Sequence, residues 1–232
     1  MNSWLWWLKT LRRAVEAFFF PVRCLACGQW TEKGPVCKDC YEKLPWNRKS
    51  CPVCARPYPP EVPPHPCGDC LQPRAFDRVI APLRYEPPVS EWLQGLKFRE
   101  DFVLARDLAV LLKEALAKEG PFDLVIPVPL SPKRRRTRGF NQAALLARWA
   151  FGGFEEILAR RRETLPQSEL PARERRRNVR GAFGLRKPQD LSGKHILLVD
   201  DIFTTGATAE ECARVLKRAG ALRVTVAVVA RA

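Results

Sequence analysis

Apolar positions change their period several times along the chain, and each change predicts an element. Residues 77–86 (DRVIAPLRYE) form an apolar run of strand length. In 89–100 (VSEWLQGLKFRE), Trp92, Leu93 and Leu96 recur at helical spacing as an inward face. A longer helix is expected over 102–120, stopped by Gly120 and Pro121. DLVIPVPL (123–130) reads as a strand, Val128 to Lys133 as the loop at its C-terminal end, and RGFNQAALLARWA (138–150) as the next helix. HILLV (195–199) is an apolar, β-branched run of the buried parallel type. After it, Ala209, Cys212, Ala213, Val215, Leu216 and Ala219 share one helical face, with Gly220 as the stop. Strands alternating with helices predict an α/β domain with a Rossmann-type parallel sheet, over 76–232.

Three stretches do not follow this alternation. Residues 164–183 (TLPQSELPARERRRNVRGAF) lack clear periodicity and are rich in arginine and proline, which predicts a long irregular loop. In residues 1–20, Leu5, Leu8, Leu11, Val15 and Phe18 make a helical stripe interrupted by Lys9, Arg12 and Arg13. That helix is too short and too charged to span a bilayer. It suits docking on its own protein or on a second copy better than lying on a membrane surface. No secretion signal is recognisable, so a cytoplasmic chain is expected, membrane-associated only through this helix.

The third stretch, 21–75, holds eight of the nine cysteines in four C-x-x-C pairs: Cys24/Cys27, Cys37/Cys40, Cys51/Cys54 and Cys67/Cys70. Each pair sets two thiolates on one tight turn, and two pairs complete a tetrahedral site, so two structural zinc ions are expected. Disulfides would need an oxidising compartment. Sequential pairing of the four motifs is the simplest arrangement, and a cross-brace is the alternative. His65 is a spare ligand that eight cysteines make unnecessary, and Cys212 reads as a core residue. With many prolines and few aliphatics, this module depends on metal for folding. Whether it also contacts nucleic acid stays open.

Charge changes the picture further. The net formal charge is +15, and residues 130–186 carry 15 lysines and arginines against five glutamates. Such a surplus suits a polyanionic ligand, and it would equally hold single- or double-stranded DNA.

Chemistry concentrates in VDDIFTTGAT (199–208), where an apolar strand runs into two carboxylates, then hydroxyls and glycine, then a helix. Free N–H groups and the dipole at a helix start favour an anion. Thr204, Thr205 and Thr208 add hydroxyl donors, and Gly206 with Ala207 lets the backbone close on a phosphate. Asp200 and Asp201 repel phosphate but suit the vicinal hydroxyls of a sugar, or a metal held near them. Phosphate beside a diol describes ribose 5-phosphate. The plainer alternative is a threonine-capped helix with two solvated acids.

ILLVDDIFTTGAT resembles the phosphoribosyl-pyrophosphate signature of type I phosphoribosyltransferases. With residues 123–147, residues 164–183 and the cysteine-rich N-terminus, the chain resembles the ComF family from about Cys24 to its end. The resemblance implies a type I phosphoribosyltransferase-like domain with a flexible hood, preceded by a double zinc-ribbon-like module. It implies that Asp200 and Asp201 hold the ribose diol and act in catalysis, while Thr204 to Thr208 hold the 5-phosphate. Val128, Pro129, Leu130 and Lys133, with Arg138 nearby, would hold the pyrophosphate, with Mg²⁺ accompanying it. Gln167, Arg173, Arg177 and Asn178 match hood positions of ComF-type chains. Purine-salvage relatives carry an acid where this chain has Thr204, which argues against hypoxanthine or guanine as acceptor. Two functions follow as expectations. One is a phosphoribosyltransferase of unidentified acceptor acting in DNA uptake and competence. The other is a non-enzymatic DNA-binding competence protein whose ribosyl site is regulatory.

Overall fold

The computed structural model describes residues 22–31, 34–98, 102–162 and 172–232. The N-terminal helix expected over 1–20 and Gln167 lie outside them, and for Lys133 and Arg173 the backbone alone is described. The chain divides into two compact units, Met1–Leu44 and Pro45–Ala232. The division falls between the second and third cysteine pairs, not at the 75/76 boundary expected from composition.

In the first unit, β1 (Val22–Arg23) and β2 (Trp30–Thr31) pair antiparallel and are followed by α1 (Lys38–Lys43). The larger unit continues with β3 (Arg78–Ile80), β4 (Leu83–Arg84), α2 (Val89–Phe98), α3 (Phe102–Leu116) and β5 (Leu124–Pro127). Then come α4 (Pro132–Arg138), α5 (Gln142–Phe151), β6 (Leu158–Arg160), α6 (Ala172–Val179) and β7 (Phe183–Leu185). The chain ends with β8 (His195–Phe203), α7 (Ala207–Arg218) and β9 (Arg223–Arg231).

The main sheet is wholly parallel, in the order β3-β9-β8-β5, with β4 continuing alongside β9. β9, which the sequence reading did not single out, is therefore an inner strand; Val224 and Val226 to Ala230 are fully buried. Strand alternation sends Ile196 and Leu198 toward α7, where they join Cys212, Ala213 and Leu216 in one core with Val224, Val226 and Val228. Helices α3 and α5 pack on each other and cover β8, β9 and β5 from the other face.

Three expectations are corrected. The run 77–86 is two short strands, because Pro82 has no N–H to continue the ladder. The basic run after β5 is helix α4, so the free loop is only 128–131. The arginine-rich part of 164–183 contains a helix, α6: arginine and glutamate are good helix formers even without an apolar face.

The two cysteine clusters follow the sequential pairing, Cys24, Cys27, Cys37 and Cys40 in the smaller unit and Cys51, Cys54, Cys67 and Cys70 in the larger. Far from standing apart, the second cluster shares the α/β core, which includes Cys51, Cys54 and Cys67. Val79 donates its N–H to Val53 O (2.8 Å), and Asn47 Nδ2 donates to Ala55 O and Ala81 O.

Candidate functional site

Parallel pairing brings the C-terminal end of β5 beside the middle of β8, with Pro127 opposite Val199. Val128 N–H donates to Val199 O (2.9 Å), which seats loop 128–131 next to Asp200. Asn141 holds the loop from below: its Nδ2 donates to Val128 O (3.0 Å), while its Oδ1 caps α5 by accepting from Ala143 N–H (3.1 Å). The signal for Asn141 was legible as a cap before the apolar run of α5.

The acidic pair lies inside β8, three and two residues before its end, not at the strand terminus as expected. The two side chains find different neighbours. Asp200 Oδ1 accepts from Asp201 N–H (2.9 Å). Asp201 Oδ1 accepts from Ile202 N–H (2.8 Å), and its Oδ2 pairs with Lys97 Nζ of α2 at 3.0 Å. Burial, reinforced by the neighbouring Asp201 charge, raises the Asp200 carboxyl to about 8. Asp200 is therefore held protonated near neutral pH.

After Phe203 the chain turns through Thr204, Thr205 and Gly206 into α7. Gly206 stands at φ 74° as the N-cap, and a Cβ there would collide with the Phe203 ring, so both conformation and space require glycine. It supplies no side-chain cap. Thr205 Oγ1 accepts only a long bond from Ala207 N–H (3.4 Å). A helix start whose N-cap is glycine and whose first amide has only a long side-chain bond is an arrangement an anion can complete.

The turn is braced by residues the sequence did not announce. Arg231, buried at 7% exposure, donates to Phe203 O (3.1 Å) and to Cys54 O (3.2 Å), tying the turn to the second cysteine cluster. Phe76 meets Phe203 edge-on at 5.7 Å. On α7, Glu210 accepts from Ala75 N–H (3.1 Å) and Glu211 from Gly181 N–H (2.8 Å), and Arg214 pairs with both carboxylates. Apart from the Arg214 pairs within α7, these contacts join segments distant in sequence, so no local pattern could reveal them.

Among the hood positions, Arg177 is exposed and Asn178 half-buried on α6. Arg162 donates to Asn178 O and Arg180 O, both at 3.0 Å. Near loop 128–131, Arg135 and Arg186 share Glu156 (3.9 and 2.6 Å) and line a cleft with Pro129, Leu130 and Asn141. A broader depression at Pro188, Ser192 and Gly220 lies at the other end of β8, away from the acids.

The cysteine clusters fit a tetrahedral ion. Zinc–sulfur bonds of about 2.3 Å place sulfurs roughly 3.8 Å apart. Here Cys27 and Cys37 Sγ are 3.8 Å apart, Cys54 and Cys67 Sγ 3.5 Å, and all four sulfurs of each cluster lie within 4.8 Å. Backbone amides are turned to the sulfurs: Cys37 N–H donates to Cys24 Sγ and Cys67 N–H to Cys51 Sγ, both at 3.3 Å. Burial raises Cys24 and Cys51, but these and neighbouring amide bonds outweigh it and hold both thiols at about 6, as thiolate ligands require. The Cys37 and Cys27 sulfurs push Cys40 up to about 12, because closely packed sulfurs resist becoming thiolates together.

Residues 15–71 match the double zinc ribbon domain, and residues 140–232 the phosphoribosyl transferase domain. The chain is 37% identical over 215 residues to the DNA utilization protein YhgH of Escherichia coli strain K12, covering 87% of this chain and 91% of that one. Competence protein F of Haemophilus influenzae is 33% identical over 234 residues (92% and 99% covered). Competence protein ComFC of Streptococcus pneumoniae is 29% identical over 220 residues (86% and 96%). A solved purine phosphoribosyltransferase from Pyrococcus horikoshii overlays with a TM-score of 0.33 at 21% identity, covering 53% of this chain and 70% of that one. With the two four-cysteine sites of a double zinc ribbon and a phosphoribosyltransferase domain in one chain, the protein belongs to the ComF family.

Proposed function

We propose that the larger unit binds phosphoribosyl pyrophosphate and transfers its ribosyl group, releasing pyrophosphate, in a protein that serves DNA uptake. The observation that carries this reading is one juxtaposition: two acids near the end of an inner strand, a glycine-capped helix start a few residues later, and loop 128–131 beside them. Asp200 and Asp201 accept from the two ribose hydroxyls. The amides and hydroxyls of Thr204 to Thr208 donate to the 5-phosphate. The backbone from Val128 to Lys133, with Arg138, receives the pyrophosphate, and Arg173, Arg177, Asn178 and Gln167 belong to the hood that excludes water from the cationic transition state. Mg²⁺, arriving with the ligand, supplies neutralisation of the leaving pyrophosphate. Relatives named for competence and DNA utilisation support the cellular role.

A second reading keeps the ribosyl site but makes it regulatory in a DNA-binding protein. It is favoured by α4 (PKRRRTR) and α6 (ARERRRNV), two strongly basic helices on the same unit. Calorimetric titration of phosphoribosyl pyrophosphate with Mg²⁺, then a screen of base and nucleic-acid acceptors for pyrophosphate release, tests both. Binding with release supports transfer, binding without release the regulatory reading, and no binding removes both. Ribose 5-phosphate should compete and 2-deoxyribose 5-phosphate compete poorly, because its diol is incomplete.

A further inference from the structure

At the diol site stands a cation that neither the signature motif nor the basic helices include. Lys97 lies in the last turn of α2 and pairs with Asp201 at 3.0 Å, the two side chains only 25% and 14% exposed. An ammonium has three N–H donors, and a single carboxylate oxygen occupies one of them. The surroundings put it at the sheet edge where the ligand loops meet. Phe102, at the start of α3 shortly after Lys97, packs its ring on Phe140 (5.3 Å), and the adjacent Asn141 holds Val128 O. The last turn of α2, the first turn of α3, the α4–α5 junction and loop 128–131 therefore gather near Asp201.

We infer that Lys97 is a binding residue for the pyrophosphate arm of the sugar phosphate, coupling it to the diol through Asp201. The inference rests on the ribosyl-site reading above. Its chemical basis is the connectivity of the ligand. The hydroxyl on C2 neighbours C1, which carries the diphosphate, so a cation touching the diol-holding carboxylate is within reach of the C1 oxygens. Asp201 holds the long lysine chain in place, limiting the rotamer freedom lost when an anion arrives. A paired ammonium also keeps the site near neutral before binding, so neither charge is left alone in a partly closed cleft.

Calorimetry on the full chain with Mg²⁺ tests this with three probes: phosphoribosyl pyrophosphate, ribose 5-phosphate and inorganic pyrophosphate. Lys97→Met should lower affinity for the two diphosphate probes about tenfold or more while ribose 5-phosphate changes less than about twofold. Lys97→Arg, which keeps the charge, should retain most of the phosphoribosyl-pyrophosphate affinity. Lys97→Gln repeats the measurement should the methionine variant not fold. If the uncharged variants bind phosphoribosyl pyrophosphate like the wild type, or lose ribose 5-phosphate equally, Lys97 only props Asp201 and the inference is overturned while the site reading stands. If the wild type binds neither sugar phosphate, the site reading fails first and takes the inference with it.

Discussion

At the scale of single residues, the site divides into what a local motif can announce and what only folding brings together. Asp200, Asp201, Gly206 and the threonines were legible because strand, turn and helix are contiguous, and each residue type has a reason in that order. Lys97, Arg231, Glu210 and Glu211 were not, since each acts across a long stretch of chain. The Asp200 carboxyl has a measurable consequence. An ordinary carboxyl titrates near 3.8, whereas Asp200 is raised to about 8 by burial and then by Asp201. Between those values the folded state holds a proton the unfolded state has lost, so this group's contribution to stability falls as pH rises through the interval and is level outside it. Thermal melts of wild type and Asp200→Asn from pH 5 to 8.5 should therefore diverge, the variant gaining relative stability toward alkaline pH. Parallel curves would mean the carboxyl is not held neutral. Gly206→Ala should also destabilise, by about 1–2 kcal/mol for the left-handed backbone alone, with the collision on Phe203 added.

At the scale of elements, helices α2, α3, α5 and α7 and strands β5 and β8 followed the apolar period closely, because one buried face dictates each of them. The misses have physical causes. α6 has no apolar stripe, so periodicity could not find it, and β3 and β4 are separated by a proline inside an otherwise strand-like run. The paired C-x-x-C spacing revealed the metal sites but not that one belongs to the larger unit. That asymmetry predicts different consequences for the two clusters. Cys24→Ser should unfold the first ribbon and leave ligand binding within about twofold, since metal ligation is that unit's main stabilising contribution. Cys54→Ser should destabilise the larger unit and weaken sugar-phosphate binding, because Cys54 is buried in its core and its carbonyl shares Arg231 with Phe203. Chelation followed by differential scanning calorimetry should accordingly perturb two transitions, and elemental analysis of the purified chain should find close to two zinc ions. An unperturbed main transition would place the second cluster outside the core's energetics.

At the scale of the whole molecule, no described helix is long and apolar enough to cross a membrane, and the positive charge gathers on the larger unit, which carries the proposed ribosyl site. DNA binding should therefore be detectable at low salt, weakly dependent on sequence, and strongly weakened as salt rises. Substituting Arg134, Arg135 and Arg136 together by alanine should lower affinity and flatten the salt slope by roughly 0.9 per lost phosphate contact. An unchanged slope would move the DNA surface off α4. Sugar-phosphate recognition itself is tested most directly by calorimetry of phosphoribosyl pyrophosphate with Mg²⁺ on the wild type and on the Asp200→Asn, Asp201→Asn double variant. A charge-assisted hydrogen bond at Asp201 contributes about 1.5–3 kcal/mol and one at the neutral Asp200 about 0.5–1.5 kcal/mol, so the double variant should bind roughly a hundredfold more weakly, with its fold intact by circular dichroism. Equal affinity in the two proteins would make the acidic pair structural and contradict a ribosyl site at the end of β8.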